Sequence, residues 1–153
     1  MRPALLLPLA VALTGCASAL PRARLTIATV TSSNMFGGEA LFTGKLLEQN
    51  GCLLASANER FATLIFDPGV TLAADGGTIR DVRQNVEVPV GRYFRAGSAW
   101  LRDGGQGWSV ADIEAFYGTR IPAKCPTHNV IRLHDFDLTE QGEKMNGFEG
   151  NGR

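Results

Sequence analysis

A mainly β domain with one short helix is the fold class that the sequence predicts. Eighteen glycines and seven prolines in 153 residues provide many turns and argue against a helical bundle. Between the turns lie short apolar or alternating runs of strand length, and only one segment carries the start and stop signals of a helix. Apolar residues make up 44% of the chain, which is enough to bury a core.

The clearest β element is a hairpin around Asn50-Gly51. This pair tolerates the positive φ of a two-residue type I′ turn, which would pair Gln49 with Cys52. In that register Leu47 pairs with Leu54, and the four side chains share one face of the hairpin. We therefore expect the sulfur of Cys52 to point toward the core.

Three more strands follow the hairpin. Residues 61–66 are apolar at nearly every position, which predicts a central strand buried on both faces. Residues 86–90 alternate in hydropathy, and Pro89 places that strand at a sheet edge or at a strand end. Residues 93–101 form the next strand.

The predicted helix spans Val110–Tyr117. Ser109 can cap its N-terminus, and Gly118 follows as its stop. Val130–Leu138 forms the last extended segment. Its alternation slips near His134-Asp135, as a β-bulge would produce.

Five or six short antiparallel strands and one helix in about 100 residues favour a small barrel, because closure removes exposed sheet edges. We predict an OB-like barrel. A two-sheet sandwich and an open meander are the alternatives.

The N-terminal residues carry a targeting signal. Arg2 precedes an apolar stretch, residues 4–13, that is too short to span a hydrocarbon core of about 30 Å as a helix. The run Leu13-Thr14-Gly15-Cys16 then resembles the lipobox of bacterial lipoproteins. The resemblance implies cleavage before Cys16 and acylation of its sulfur and its new amino group, so that acyl chains hold the protein on a membrane.

The resemblance also implies a location. Ala17 follows the cysteine where an Asp would, in the enteric-bacterial pattern, retain a lipoprotein at the inner membrane. The outer membrane is therefore implied, with the folded body facing the periplasm. The alternative is ordinary signal peptidase cleavage after Ala17-Ser18-Ala19. It would discard Cys16 and leave a soluble periplasmic protein that begins at Leu20.

The chain divides into four predicted segments. Residues 1–15 are the signal peptide, and residues 16–38 are a lipid-anchored tether whose β-prone part can add one strand. Residues 39–138 form the β domain. Residues 139–153 contain four glycines and almost no apolar side chain, which predicts a disordered tail.

A disulfide follows from the cysteine count. Once Cys16 is acylated, Cys52 and Cys125 are the two remaining thiols in an oxidising compartment, and such a pair is normally bridged. We therefore predict a bond between Cys52 and Cys125, which fastens an irregular segment over the barrel.

Composition and motifs exclude several functions. Fifteen Lys and Arg against fifteen Asp and Glu leave no net charge, which argues against a nucleic-acid partner. Gly44-Lys45 does not belong to a P-loop, because Glu39 and Leu46 stand where Gly and Ser or Thr are needed. The sequence contains neither a dinucleotide fingerprint nor a Gly-x-Ser-x-Gly elbow. No cofactor is predicted.

Five arginines and several aromatic residues lie between residues 80 and 102. Arginine and aromatic side chains together suit anionic or sugar-like ligands. Arg92, Phe94 and Trp100 would share one side of a strand, and they are the candidate ligand-binding residues. The alternative is a solvated strand face on which the arginines pair with interleaved acids.

A second cluster of reactive groups comprises His128, His134, Asp135 and Asp137. His134 and Asp135 point to opposite faces of a regular strand, so we predict no metal site. Asp135 and Asp137 share a face, and a hydrolase that uses His134, Asp135 and Asp137 is therefore an alternative. Recognisable motifs supply no set of nucleophile, base and orienting group.

These observations favour a non-enzymatic binding or accessory module of the cell envelope, anchored through lipid. Its partner would be an envelope protein, a glycan or an anionic polymer. A periplasmic hydrolase is the alternative function. A purely structural subunit of an envelope complex is a third.

Overall fold

The structure is a computed structural model that describes residues 25–31 and 40–139. The predicted signal peptide, Cys16, Leu20 and the part of the predicted tail beyond residue 139 lie outside the described residues. The elements are β1 (Ala28–Thr29), β2 (Ala40–Gln49), β3 (Cys52–Ala57), β4 (Arg60–Phe66), β5 (Val70–Leu72), β6 (Thr78–Asp81), β7 (Val86–Pro89), β8 (Tyr93–Asp103), β9 (Gln106–Gly107), α1 (Val110–Tyr117) and β10 (Val130–Leu138).

Five strands form a barrel-like ring, and the fold is mainly β with one short helix, as predicted. Each of the five strands pairs with two others of the ring, in the order β2, β3, β4, β10, β8 and back to β2. The sequence predicted antiparallel strands, but β4 and β10 are parallel, with Val130 opposite Thr63 and Leu133 opposite Phe66. A closed ring of five strands cannot alternate in direction throughout, because five is an odd number. One parallel pair is therefore required.

A second sheet has three strands in the order β5, β6, β7, and along the chain these strands lie between β4 and β8. β7 lies at its edge, as Pro89 predicted. Val70, Ile79 and Val88 pack in the same apolar cluster as the interior of the ring. The small sheet is thus part of the same hydrophobic core.

The interior of the ring is rich in phenylalanine. Phe42, Phe66, Phe94 and Phe136 are each 5% exposed or less. The ring centroids of neighbouring pairs lie 5.6 to 5.8 Å apart. Such tilted pairs are favourable contacts between aromatic rings.

A second apolar core lies outside the ring, beneath α1. The outer faces of β3 and β4 contribute Cys52, Leu54 and Ile65, which pack in one cluster with Ile113 and Tyr117 of the helix. β4 is consequently buried on both faces from its third residue onward. This confirms the central strand that the apolar run predicted.

The hairpin and the helix lie where the local turn and cap residues predicted them. The β2–β3 hairpin has Leu47 opposite Leu54. The Ser109 hydroxyl caps α1 by accepting a hydrogen bond of 3.1 Å from the backbone N–H of Asp112. Gly118 ends the helix in the left-handed conformation, with φ 59°.

The predicted disulfide joins Cys52 and Cys125, whose Cα atoms are 5.5 Å apart. Both cysteines are buried in the second core. The bond links the start of β3 to the irregular segment between α1 and β10. That segment is thereby fastened over the outer face of the ring, as expected.

Residues 25–31 belong to the folded domain. β1 pairs with β4 in parallel, with Ala28 opposite Ile65, and the Val30 N–H donates to the Phe66 carbonyl at 2.9 Å. Ala28 and Val30 are buried in the second core. The strand anticipated in this run is present, but it packs on the domain, whereas the sequence assigned these residues to the tether.

Candidate functional site

The three predicted ligand-binding residues do not lie together. β8 alternates as expected, but its even-numbered side faces the interior of the ring, and Phe94 is fully buried. Arg92 precedes β8 and is exposed. Trp100 lies half-buried at one end of the ring, where it lines a pocket. Alternation along a strand shows which residues share a face, but it does not show which face the core covers.

Three of the arginines between residues 80 and 102 lie beside acids. Arg80 is 3.4 Å from Glu87, and Arg95 is 3.7 Å from Asp137. Arg83 lies 3.7 Å from Asp67, which follows β4, and 3.8 Å from Asp81, the last residue of β6. Two of these contacts, Arg80 with Glu87 and Arg83 with Asp81, use the interleaved acids of the alternative interpretation, whereas the other acids come from elsewhere in the chain.

A bulge in β10 places His134 beside Asp135. The register with β8 shifts between His134 and Asp137, which confirms the predicted bulge, and Asp135 has φ 50°. His134 Nδ1 lies 2.9 Å from Asp135 Oδ2, and Gln84 Nε2 donates to Asp135 Oδ1 at 3.1 Å. The hydrogen bond with His134 holds the pKa of Asp135 below its usual value, although partial burial of the carboxyl opposes this effect.

The bulge does not assemble a recognisable catalytic group. Asp137 lies beside Arg95 on β8, and Asp135 is held by His134 and Gln84. In the part of the chain that the structure describes, no hydroxyl or thiol is hydrogen-bonded to the His134 ring. Within the same residues, no three His, Cys, Asp or Glu side chains are placed to hold a metal ion.

A pocket opens where β2 extends beyond the β3–β4 hairpin. The pairing of β2 with β3 ends at Lys45 opposite Ser56. Two residues later the chain turns into β4 through Asn58 and Glu59, which both have positive φ. Residues 40–43 of β2 therefore continue past the end of the hairpin and pair with β8 on one side.

The pocket has an apolar floor and a mixed rim. Its volume is about 100 Å³. The floor is formed by Phe42, Ala55 and Ala62, which are buried, and by the half-buried Trp100. The rim is formed by Leu41, Thr43, Ala57, Asn58, Arg60 and Asp103.

Arg60 covers one side of the pocket. Its guanidinium lies 5.6 Å from the centre of the Trp100 ring and forms an ion pair with Asp103. Both charged side chains are 54% exposed, so water screens the pair and opening it costs little. Sequence reasoning named Trp100 but missed Arg60. The available signal was the hairpin register, which leaves the first residues of β2 without partners on β3.

Most of the outer face of β3 and β4 is covered by α1 and the segment that follows it. OB barrels bind oligonucleotides and oligosaccharides on the face of their second and third strands. β3 and β4 occupy those places in this ring, counted from β2, but Leu54 and Ile65 are 1% and 0% exposed beneath α1. α1 therefore covers this part of the platform, whereas Phe61 at the start of β4 is 47% exposed.

A wider hollow of about 860 Å³ lies beside the turn at residues 73–77. The Asp75 carboxylate accepts hydrogen bonds from the Gly77 N–H at 2.9 Å and from the Thr78 hydroxyl at 2.7 Å, and it thereby stabilises the turn. The hollow is broad and partly polar. The pocket at Trp100 is the better defined candidate site, because a few side chains enclose its apolar floor.

Comparison of the chain with protein-family models, curated proteins and solved structures found no significant match. Among residues 25–31 and 40–139, no helix is long and apolar enough to cross a membrane.

Proposed function

We propose that this protein is an exported, lipid-anchored module of the bacterial cell envelope that binds a partner and catalyses no reaction. The disulfide between Cys52 and Cys125 carries the proposal. Structural disulfides form and persist in oxidising compartments such as the periplasm. The lipobox-like run that ends at Cys16 supplies the route to that compartment and the anchor within it.

The described side chains support binding over catalysis. No hydroxyl or thiol among them is hydrogen-bonded to the His134 ring, and the pocket at Trp100 has an apolar floor. An apolar pocket with a few polar groups at its rim is typical of a site that recognises part of a ligand. A hydrolase would need a nucleophile or an activated water beside a base.

The anchor would consist of acyl chains on Cys16. One acyl chain gives marginal membrane binding, whereas the two or three chains of a bacterial lipoprotein hold the protein durably. We place the folded domain at the outer membrane, on its periplasmic side. Release of a soluble protein that begins at Leu20 is the alternative location.

Fractionation of cells that carry the Cys16→Ser variant tests the proposal. We expect the wild-type protein to sediment with membranes and to incorporate a radiolabelled fatty acid. The Cys16→Ser variant should lose the label and either accumulate as a precursor or become soluble. The Ser18→Ala variant is the matched control and should behave like the wild type. A wild-type protein that is soluble, unlabelled and begins at Leu20 would contradict the proposal.

A further inference from the structure

We propose that the free edge of β2, formed by residues 40–43, binds an extended polypeptide as an added strand, with one apolar side chain of that polypeptide in the pocket at Trp100. This inference rests on the proposed function as a binding module, and it names the class of ligand. A partner protein with an exposed, extended segment would supply the strand.

Hydrogen bonding along β2 shows which edge of the strand each backbone group faces. The Leu46 N–H donates to the Arg92 carbonyl at 2.9 Å, so the even-numbered residues of β2 direct their backbone groups toward β8. Backbone direction alternates along a strand, and Leu41 and Thr43 therefore direct theirs to the opposite edge. Lys45 uses that edge to pair with β3. On the N-terminal side of Lys45, no strand within residues 25–31 or 40–139 pairs with this edge of β2.

The free edge is short, but it carries neither of the residue types that usually protect an edge strand. Proteins cover such edges or disrupt them with charged residues, prolines or bulges. Residues 40–43 read Ala-Leu-Phe-Thr and contain no charge and no proline. Leu41 is 66% exposed beside this edge. An unpaired row of backbone donors and acceptors is complementary to another extended backbone.

The pocket selects a side chain of limited size. A strand added beside β2 would direct alternate side chains to the same face as Phe42, and the pocket lies on that face. A dry cavity of about 150 Å³ holds a benzene molecule, so this pocket of about 100 Å³ holds roughly four non-hydrogen atoms. Valine or leucine fits this space. The apolar floor favours such a side chain over a polar one.

A second copy of this chain is a poor occupant. If two β2 edges paired, the side chain offered to the pocket would have to come from the inner face of the partner's β2. On that face β2 carries Phe42, which is 5% exposed because it is packed inside its own ring. The ligand is therefore expected to be a different polypeptide, one whose apolar side chain is free to enter.

A synthetic peptide tests the inference on the full-length protein in detergent. The probe is the hexapeptide Thr-Val-Thr-Leu-Thr-Val with acetylated and amidated ends, and binding is followed by calorimetry. Replacing its Leu with Ala should weaken binding roughly tenfold to a hundredfold, because that side chain would lose its burial. Alternate amides of the peptide can be N-methylated in two patterns, and only one pattern blocks the amides that face β2. We expect that pattern to abolish binding and the other pattern to preserve it. Equal binding in both patterns, or no binding of the parent peptide, would overturn the inference.

Two variants locate the site. Ala57→Leu should fill the pocket and weaken peptide binding at least tenfold, whereas Ser56→Leu, which points to the other face, should leave the affinity within about twofold. Thr43→Pro removes one backbone donor of the edge, and Thr43→Val retains it. We expect Thr43→Pro alone to abolish binding while its melting temperature stays close to that of Thr43→Val.

Other outcomes separate this inference from the proposed function. Peptide binding that survives both Ala57→Leu and Thr43→Pro would place the ligand elsewhere and overturn the inference. A dimer that forms with rising protein concentration and is lost in Thr43→Pro would show a second copy on the edge and would also overturn it. Neither result would alter membrane fractionation through Cys16, so a failure of the inference is distinguishable from a failure of the proposed function.

Discussion

Arg132 is a buried cation that connects three parts of the protein. It lies on β10 and is 3% exposed. Its Nε donates to Asp67 Oδ1 at 2.6 Å, and its guanidinium lies 5.3 Å from the centre of the Tyr117 ring on α1. Burial of the guanidinium opposes its charge, but the hydrogen bond and the negative charge of Asp67 outweigh this effect and raise the pKa of Arg132.

Removing one member of this pair should destabilise the protein strongly. Asp67→Leu leaves the Arg132 charge buried without its carboxylate, and we expect the free energy of unfolding to fall by about 3 to 5 kcal/mol. The double variant Asp67→Leu/Arg132→Met should lose less than the two single variants combined, because no buried charge remains. Urea unfolding measures all three. Additive losses would show that the two side chains are not coupled.

At the scale of the element, the end of α1 depends on a contact with residues 25–31. The Thr31 N–H donates to the Tyr117 carbonyl at 3.0 Å, and the Thr31 hydroxyl donates to the same oxygen at 3.3 Å. Gly118 follows with φ 59°, and a Cβ atom placed there would overlap the Thr31 hydroxyl. The helix can end at this point because residue 118 has no side chain.

Gly118→Ala should therefore destabilise the protein through two separate effects. The left-handed conformation costs a residue with a Cβ roughly 1 to 2 kcal/mol, and the overlap with Thr31 adds to that cost. In a Thr31→Ala background the overlap disappears, so the same Gly118→Ala change should cost measurably less. Thermal unfolding of the four proteins in this double-mutant cycle measures the difference. Equal costs in both backgrounds would contradict the packing of Thr31 against the helix end.

At the scale of the whole molecule, two cores share one wall. β3 and β4 present one face to the interior of the ring and the other to α1. The disulfide crosses the second core between residues 73 positions apart. It holds the segment after α1 on the wall, so that β10 enters the ring beside β4.

Loss of the disulfide should destabilise the entire domain. The bond closes a loop of 73 residues, for which loop-closure entropy suggests roughly 4 kcal/mol of stabilisation. We expect the Cys52→Ala/Cys125→Ala variant to lose about that much free energy of unfolding in urea. Mass spectrometry of unreduced, alkylated wild-type protein should detect one peptide that links the two cysteines. Two alkylated cysteines, together with unchanged stability in reductant, would contradict this prediction.

The candidate pocket shows why site prediction from the sequence stopped at Trp100. Its lining comes from β2, β3, β4 and β8, whose residues are far apart in the chain. No motif connects Arg60 with Asp103, because an exposed ion pair imposes no spacing on the sequence. Phe94 was a candidate ligand-binding residue because the alternation along the strand puts it on the same face as Trp100. This face of β8 is buried inside the ring at Phe94. It becomes accessible only near the end of the strand, at Trp100.

Local sequence signals predicted the elements that depend on neighbouring residues. Asn50-Gly51 set the hairpin register, Ser109 and Gly118 set the ends of α1, and the slip at His134-Asp135 marked the bulge. Each of these signals acts through backbone conformation and hydrogen bonds within a few residues. The pairing of the two cysteines was also predictable, because only two thiols remained in the proposed compartment.

Which surfaces of the described residues are covered depends on packing between distant parts of the chain. Alternation gives a strand two faces, but in a small ring with a helix packed outside, residues 52–55 of β3 and 62–66 of β4 are buried on both faces. The parallel β4–β10 pair and the free edge of β2 depend on contacts between distant residues. Such contacts follow from ring closure and from the unequal lengths of neighbouring strands, and no local pattern encodes either.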